Sequence, residues 1–266
     1  MIKMVATDID GTILRGDFGF SSAVKKCILD LSKRGIKVVL VTGRMHCAAM
    51  FLAQELGINT PIVSYQGGMI KENSLDGQVY YNKFLDKYYA QKIIDWARKN
   101  HVHLNLYIDD VLYVEQDCET IKNYTKARYI EYKVCSFDNL KLEKINKILA
   151  IDYSDAEKVS SWVEFLSKEF PQLYIVKSTP YFCEISHPEA KKSTAVEYLC
   201  KHWGIKKEEV LTIGDQNNDI ELLKSGGIPV AMGNATEELK AFACFVTDTV
   251  ENDGFVKAIE KFCNCD

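Results

Sequence analysis

The sequence predicts an α/β fold, namely a doubly wound, mostly parallel sheet with an inserted α+β domain. Three observations support this prediction. At both ends of the chain, short and almost wholly apolar segments alternate with segments of helical periodicity, as in a parallel sheet that helices cover on both faces. The middle of the chain instead alternates apolar and polar residues, as strands with one exposed face do. A length of 266 residues is sufficient for two domains.

Local signals define the elements at the two ends of the chain. Ser21 is a suitable N-cap for a first helix that ends at Gly35, and a second helix over 44–56 ends at Gly57. Apolar runs predict three early strands, at 2–7, 36–41 and 61–65. Near the C-terminus the predicted strands are 210–213 and 228–231, and the predicted helices are 192–203, 216–224 and 254–262.

The predicted insert lies between these two regions. Its predicted strands are 104–108, 111–115, 148–153 and 173–176. Its predicted helices are 86–100 and 155–170. We therefore predict a discontinuous core of residues 1–82 and 184–266 around an inserted domain of residues 83–183.

Composition and charge argue against several classes of protein. The formal net charge is −4, and basic residues are interleaved with acidic ones, so we expect no nucleic-acid partner. The longest aliphatic runs have the length of strands, so we expect no membrane partner. Nine cysteines without a secretion signal indicate reduced thiols and a cytoplasmic location. The sequence leaves the oligomeric state open.

The segment DIDGT follows the first predicted strand. Asp8 and Asp10 are two residues apart, so both carboxylates point to the same side of an extended chain. They lie just past the carboxyl end of the strand, which is where open α/β sheets bind ligands. Gly11 allows the chain to turn there, so that backbone amides can face an anion.

A second acidic segment, GDQNND, follows a later strand. Asp215 is at the tip of that strand, and Asp219 is about one helical turn further on. If the tips of the two strands meet, their carboxylates repel one another unless a cation or protons compensate them. Oxygen ligands of this kind suit Mg²⁺, which we therefore expect as the cofactor.

Two further segments suit a phosphate group. In VTGR, Thr42 supplies a hydroxyl and Gly43 an accessible amide where a helix is predicted to begin, and a helix N-terminus favours anions. Lys191 and Lys192 begin the helix before the GDQNND strand, where a fixed positive charge can meet a bound phosphate. Each segment alone is also compatible with an ordinary turn or surface, and only their order within an α/β chain favours a site.

In this order, DIDGT, VTGR, the Lys192 that follows HPEA, and GDQNND resemble the four motifs of the haloacid dehalogenase superfamily. The resemblance is closest to its Cof-like phosphatases, in which a large α/β cap lies between the second and third motifs. Residues 230–255 also resemble the C-terminal signature of that group. The resemblance implies a Rossmann-like core, a cap that determines substrate specificity, and Mg²⁺-dependent hydrolysis of small phosphorylated metabolites such as sugar phosphates.

The resemblance also implies roles for the aspartates. Asp8 would be the nucleophile that forms an aspartyl-phosphate, and Asp10 would be the general acid and base. The carboxylates of Asp8 and Asp215 and the backbone carbonyl of Asp10 would bind Mg²⁺, and Asp219 would support that metal site. The residues that would bind phosphate are Thr42, Gly43, Lys192 and Asn218.

The sequence departs from the Cof-like pattern at two positions. Gln66 stands where the group often has Asn after the third strand, and Ser193 follows the motif lysine in place of Gly. Neither change affects the residues expected to act on phosphate, but both concern the substrate side. The candidate substrate contacts are Arg44, Gln66, Glu184 and His187.

Alternative functions remain open at this point. A phosphomutase would use the same aspartates, and a non-catalytic module would bind a phosphorylated ligand without turnover. A signalling receiver domain is disfavoured, because no aspartate follows the third predicted strand, where Gln66 stands instead. His101 and His103 are two residues apart, but no set of cysteines or carboxylates around them completes a metal site in the sequence.

Overall fold

The chain folds into two compact units. The computed structural model describes residues 1–16, 19–126, 128 and 130–263. The larger unit comprises residues 1–81 and 191–266, and the smaller unit comprises residues 82–190. The predicted boundary after residue 183 is misplaced, because it cuts a strand, Phe182–Ser186, that pairs with its neighbours inside the smaller unit.

Strands and helices alternate along the described residues. The strands are β1 (Met4–Thr7), β2 (Lys37–Leu40), β3 (Ile62–Ser64), β4 (Met69–Lys71), β5 (Val79–Asn82), β6 (His103–Ile108), β7 (Val111–Val114), β8 (Tyr132–Val134), β9 (Ile145–Ile151), β10 (Tyr174–Thr179), β11 (Phe182–Ser186), β12 (Val210–Gly214), β13 (Ile228–Ala231) and β14 (Phe245–Val246). The helices are α1 (Ser22–Lys33), α2 (His46–Glu55), α3 (Lys87–Lys99), α4 (Glu119–Lys126), α5 (Ala156–Glu169), α6 (Lys192–Trp203), α7 (Ile220–Ser225), α8 (Glu237–Lys240) and α9 (Gly254–Cys263). Within these ranges, every helix is too short or too polar to cross a membrane.

The larger unit is built on a parallel sheet with the strand order β14-β13-β12-β1-β2. β1 lies between β12 and β2 and is fully buried, as its apolar sequence predicts. The third predicted strand is only partly in this arrangement. β3 pairs antiparallel with β4 and meets the end of β2 through one parallel bridge between Val41 and Val63.

Helices cover both faces of this sheet, so the doubly wound fold is confirmed. Alternate residues of β1 point to opposite sides. Val5 joins a core that includes residues of α1 and α9, whereas Met4 and Ala6 join a second core that includes residues of α6. α6 begins and ends as predicted, and it ends at Gly204, whose φ of +64° is one that glycine adopts readily.

The smaller unit is a six-stranded sheet with the order β10-β11-β9-β6-β7-β8. Its strand pairs are antiparallel except β7–β8, which is parallel. α3 and α5 supply apolar residues to one core with β6, β9 and β11, as the predicted α+β insert requires. Asp86 and Asp155 are the N-caps of α3 and α5, and each accepts hydrogen bonds from amides of the first turn.

Candidate active site

The carboxyl ends of three parallel strands meet at one edge of the larger sheet. In the strand register, Thr7 of β1 lies between Leu40 of β2 and Ile213 of β12. The three motifs therefore begin at the same edge of the sheet, because DIDGT follows β1, VTGR follows β2 and GDQNND overlaps the end of β12. The sheet brings together the polar segments that are far apart in the sequence.

Lys192 joins two of the predicted aspartates. Its Nζ lies 2.6 Å from Asp8 Oδ1 and 2.6 Å from Asp219 Oδ1. The ammonium group and the Asp219 carboxylate are completely buried, and Asp8 is nearly so. The other oxygen of Asp219 accepts the amides of Asp215 and Gln216, at 3.0 Å and 3.2 Å. Asp219 thus fixes both the lysine and the loop after β12.

Asp215 completes the carboxylate cluster. Its Oδ1 accepts a hydrogen bond of 2.9 Å from the hydroxyl of Thr12, and its Oδ2 accepts one of 3.1 Å from the side-chain amide of Gln216. Gly11 passes so close that an added Cβ would lie 2.4 Å from Asp215 Oδ2. Glycine is therefore required at this position both by this contact and by its φ of +77°.

The cluster holds more negative charge than Lys192 neutralises. Burial raises the pKa of Asp8 well above its usual value, Lys192 lowers it in part, and the neighbouring carboxylates raise it further. Burial and the charge of Asp219 likewise raise the pKa of Asp215 to about 7. Burial by itself lowers the pKa of Lys192, but the carboxylates of Asp219 and Asp8 more than offset this effect, so the lysine stays charged.

The donor set suits a hard divalent cation. Asp8, Asp215 and Asp219 form the one group of three or more acidic, histidine or cysteine ligands found among the described residues, with ligand atoms within 4.8 Å of one another. Carboxylate oxygens are the ligands that Mg²⁺ prefers, and a cation would offset the charge that raises the two pKa values. The residues present therefore fit the predicted cofactor.

Asp10 lies beside this cluster but outside it. Its two carboxylate oxygens accept hydrogen bonds of 2.8 Å and 2.6 Å from Nε and Nη2 of Arg44, a bidentate pair. The Asp10 side chain is 49% exposed. Arg44, a predicted substrate contact, thus holds the predicted acid and base in this conformation.

The VTGR segment forms a tight turn before α2. The Thr42 hydroxyl accepts the amide of Arg44 at 3.1 Å, and Gly43 lies between these two residues. Thr42 also pairs through its backbone with Val63 and Gln66 on the segment that includes β3. α2 begins at residue 46, two residues later than predicted, so the turn and not the helix itself carries these groups.

Gln66 and Asn218 form a buried amide pair. Asn218 Nδ2 donates to Gln66 Oε1 at 3.1 Å. The remaining amide atoms, Gln66 Nε2 and Asn218 Oδ1, have no hydrogen-bond partner within the described part of the chain. Tyr65 and Gln66 also have φ of +53° and +60°, and such a strained backbone is common at functional sites. The pair thus has one buried donor and one buried acceptor that hydrogen bonds of the described residues do not use.

Two predicted substrate residues belong to the smaller unit. Glu184 lies on β11 and forms a buried ion pair with Lys147, with 2.8 Å between Oε2 and Nζ. His187 accepts the amide of Glu189 at its Nδ1. Since both residues precede 191, the sequence-based boundary assigned them to the wrong unit.

Sequence reasoning missed two side chains of the cluster, Thr12 and Gln216. Both contact Asp215 directly. Thr12 lies in DIDGT and Gln216 in GDQNND, so both could have been added to the candidate site residues from their position in these motifs. Their hydrogen bonds depend on how the two loops turn, which the sequence pattern does not define.

The structure has a doubly wound core with buried carboxylates and a lysine at one edge of its sheet. This is the arrangement that the sequence motifs predict for a phosphohydrolase. The chain belongs to the haloacid dehalogenase-like hydrolase family, whose model matches residues 5–259. The predicted family, fold class and enzyme class, a phosphohydrolase, are thereby confirmed.

Similar proteins agree with this membership over nearly the whole chain. Phosphatase YwpJ of Bacillus subtilis is 28% identical, and the match covers 95% of this chain and 97% of the relative. A 5-amino-6-(5-phospho-D-ribitylamino)uracil phosphatase, YcsE, from the same organism is also 28% identical, over 98% of this chain and 96% of the relative. The crystal structure of a haloacid dehalogenase-like hydrolase from Bacteroides thetaiotaomicron is 27% identical with a TM-score of 0.86, over 98% of this chain and 99% of that one.

Proposed function

We propose that this phosphohydrolase is an Mg²⁺-dependent phosphomonoesterase that acts on small phosphorylated metabolites through an aspartyl-phosphate on Asp8. The observation that carries the proposal is the buried cluster in which Lys192 contacts Asp8 and Asp219 while Asp215 lies beside them. At one edge of the sheet, such a cluster provides a nucleophile in Asp8, a fixed positive charge in Lys192 and a further carboxylate in Asp215.

Asp8, Asp215 and the backbone carbonyl of Asp10 would hold Mg²⁺, with Asp219 positioning the loop and the lysine. Bound there, the cation would offset the negative charge of the carboxylates and of a substrate phosphate. Both oxygens of Asp219 are committed, one to the Lys192 ammonium group and the other to the amides of the loop after β12, which suits a positioning role. The oxygens of Asp215 accept hydrogen bonds from the uncharged side chains of Thr12 and Gln216, so the charge of Asp215 stays available to a cation.

The nucleophilic step would belong to Asp8. Its carboxylate attacks phosphorus, the bond to the leaving oxygen breaks, and the phosphoryl group is carried on the aspartate until water removes it. Lys192 lowers the pKa of Asp8 and so favours the ionised nucleophile. The same ammonium group would attract the phosphate oxygens.

Asp10 would transfer the protons. It would protonate the leaving oxygen and later deprotonate the attacking water, which are the two halves of general acid and base catalysis. Its carboxylate is now held by Arg44, so this contact would have to open before Asp10 could reach the substrate.

Thr42, Gly43, Lys192 and Asn218 would bind the phosphate group, and the unpaired Nε2 of Gln66 is a further donor. Arg44, Gln66 and His187 remain the candidates for substrate contacts, whereas Glu184 is engaged in the buried ion pair with Lys147. We propose the larger unit as the catalytic core and the smaller unit as the cap that determines substrate specificity. Because reduced thiols and phosphorylated metabolites occur together in the cytoplasm, we propose that the enzyme acts there.

The substrate can be found by measuring phosphate release from a panel of phosphorylated compounds. Sugar phosphates belong in the panel, and so do polyol phosphates, because one relative at 28% identity is named for a phosphoribityl compound. Flavin mononucleotide and pyridoxal phosphate complete it. With Mg²⁺ present, we expect Asp8→Asn to lower turnover by about 10⁴-fold or more, since the nucleophile is lost.

The matched control is Asp30→Asn, which removes an exposed carboxylate on α1. This variant should keep the turnover of the unmodified chain. Equal phosphate release by the unmodified chain and Asp8→Asn would refute the aspartyl-phosphate mechanism. Transfer of phosphate to a second position of the substrate, without release, would instead indicate a phosphomutase, and binding without any turnover would indicate a non-catalytic module.

A further inference from the structure

The smaller unit contains a cavity that the phosphate chemistry does not use. Its volume is about 300 Å³, and it opens between the end of α3, the start of β6 and the segment that precedes α4. The polar residues that line it include Arg98, His101, His103, Glu115 and Cys118. A thiol and an imidazole therefore share a space large enough for part of a small molecule.

Cys118 and His103 are in direct contact. Sγ of Cys118 lies 3.5 Å from Nδ1 of His103, and Nε2 of the same ring lies 2.9 Å from Oδ1 of Asn105. Since the amide oxygen of Asn105 faces Nε2 and can only accept a hydrogen bond, we assign the proton to Nε2, and the lone pair of Nδ1 then faces the thiol. The three side chains form a line in which the amide orients the ring and the ring faces the sulfur.

The position of Asn105 on β6 is fixed by the fold. It is completely buried, and it is two residues from His103, so both side chains project from the same face of the sheet. Burial also lowers the pKa of His103, which keeps the imidazole neutral near pH 7. A neutral, oriented imidazole is a base for a neighbouring thiol.

The thiol also lies at the start of a helix. Cys118 directly precedes α4, and its carbonyl accepts the amide of Lys122 at 3.2 Å. The acidic residues nearest to the thiol are Glu119, which follows it in the first turn of α4, Glu115, which is paired with Arg98, and Asp117, which is paired with Lys122.

We propose that Cys118 is the nucleophile of a thiol-modification site, with His103 as its base and Asn105 as a positioning residue, and that this site takes up small disulfides. The thiol proton moves to Nδ1 of His103, and the sulfur attacks one sulfur of the disulfide. The disulfide bond breaks, a mixed disulfide forms on Cys118, and the departing thiolate takes the proton back from His103. The disulfide is the only oxidant required, and excess thiol reverses the reaction.

Other cysteines of the chain provide internal references. Burial raises the pKa of Cys27 to about 12 and that of Cys200 to about 11, which makes both thiols poor nucleophiles. Cys244 is exposed, so its reaction is limited by its own chemistry and not by access. It is the matched control for Cys118, which is only partly exposed.

The test uses the full chain and 2,2′-dithiodipyridine as the small disulfide. The rate of modification of each cysteine is followed by mass spectrometry of peptides between pH 5.5 and 8.5. We expect Cys118 to react about tenfold faster than Cys244 at pH 7, because the imidazole in contact with its sulfur can take the thiol proton as the sulfur attacks. Equal or slower reaction of Cys118 with the pH profile of Cys244 would overturn the proposal without any variant.

His103→Gln separates a base from a merely structural neighbour. We expect the rate of Cys118 to fall about tenfold and its pH profile to become that of Cys244, while the rate of Cys244 in the same molecules is unchanged. Asn105→Leu should have the same effect, and Asn105→Asp, which keeps an acceptor oxygen, should restore most of the rate. An unchanged Cys118 rate and pH profile in His103→Gln would contradict the assignment.

Discussion

Both units bury charged side chains, but they balance the charge differently. In the smaller unit, Lys147 and Glu184 form a pair of one cation and one anion, each almost completely buried. In the larger unit, Lys192 faces two carboxylates directly, and Asp215 adds a third nearby. The first arrangement is neutral in itself, whereas the second has a surplus of negative charge.

This difference separates an ion pair of balanced charge from a cluster whose excess negative charge favours the binding of a cation. A buried pair with balanced charge needs good geometry and nothing further. An unbalanced cluster raises the pKa values of its own carboxylates, as it does for Asp8 and Asp215, and can be relieved by protons or by a cation. Strongly perturbed groups of this kind tend to mark functional sites.

The largest expected effect on stability is the loss of either buried lysine. Lys192→Met should destabilise the larger unit by about 3–5 kcal/mol, because the carboxylates that it neutralised stay buried, and should lower turnover by about 10²–10³-fold. Lys147→Met should cost the smaller unit a similar free energy. Thermal unfolding with and without Mg²⁺ distinguishes the two, since Mg²⁺ should restore part of the stability of Lys192→Met only.

The unmodified chain serves as the reference for the intrinsic effect of Mg²⁺ on stability. If Mg²⁺ raised the stability of both variants to the same extent, it would be acting on the whole surface. The proposed difference in charge balance between the two units would then be contradicted. Restoration of neither would contradict the proposed cation site.

A smaller effect on turnover is expected at the exposed pair of Asp10 and Arg44. Asp10→Asn should lower turnover by about 100-fold, because a general acid and base is lost. Its effect on stability should be within about 1 kcal/mol, because Asp10 is 49% exposed and surface ion pairs contribute little. Steady-state kinetics and thermal unfolding of the same preparation test both parts, and retained turnover would remove the proposed role.

The smallest effect concerns protons bound to the cluster. The folded-state pKa of Asp215 is about 7, above its ordinary value of about 3.9 in an unfolded chain. Between about pH 4 and 7 the folded chain therefore binds more protons than the unfolded one, so without Mg²⁺ the free energy of unfolding should fall as pH rises through this window. Asp215→Asn should reduce this slope and leave the contribution of Asp8, whose pKa is raised as well, measured by denaturant unfolding at several pH values.

Mg²⁺ binding should release the proton from those molecules in which the Asp215 carboxyl group is protonated. Calorimetric titration near pH 6 in buffers of different ionisation enthalpy measures the number released, and we expect a value between zero and one for Asp215. A heat that is independent of the buffer would contradict competition between the cation and a proton.

Much of the fold could be predicted from local signals. α6 was predicted with its correct ends, because Gly204 closes it and its apolar residues have helical spacing. The pairing of β3 could not be predicted, since a buried apolar run does not specify its neighbour in a sheet. α4 and β14 were missed because they are short and contribute few apolar residues to a periodic pattern.

The candidate site was predictable where a motif sits at the end of a strand. Asp8, Asp215, Asp219 and Lys192 were all chosen from the sequence, and the structure brings them together. The contact of Asp10 with Arg44 was not foreseen, because it depends on side-chain rotamers at an exposed turn. Roles in catalysis and in metal binding stay predictions until the variants above are measured.

The long sequence separations within the cluster have a consequence for folding. Asp8 and Lys192 are 184 residues apart, and Thr12 and Asp215 are 203 residues apart. Closing so long a loop costs conformational entropy before any contact rewards it, although the cost grows only slowly with length. The smaller unit is contained within this loop and has its own core, so its prior folding would shorten the flexible chain that has to close. We therefore expect enzymatic activity to return late in refolding, after the secondary structure of both units.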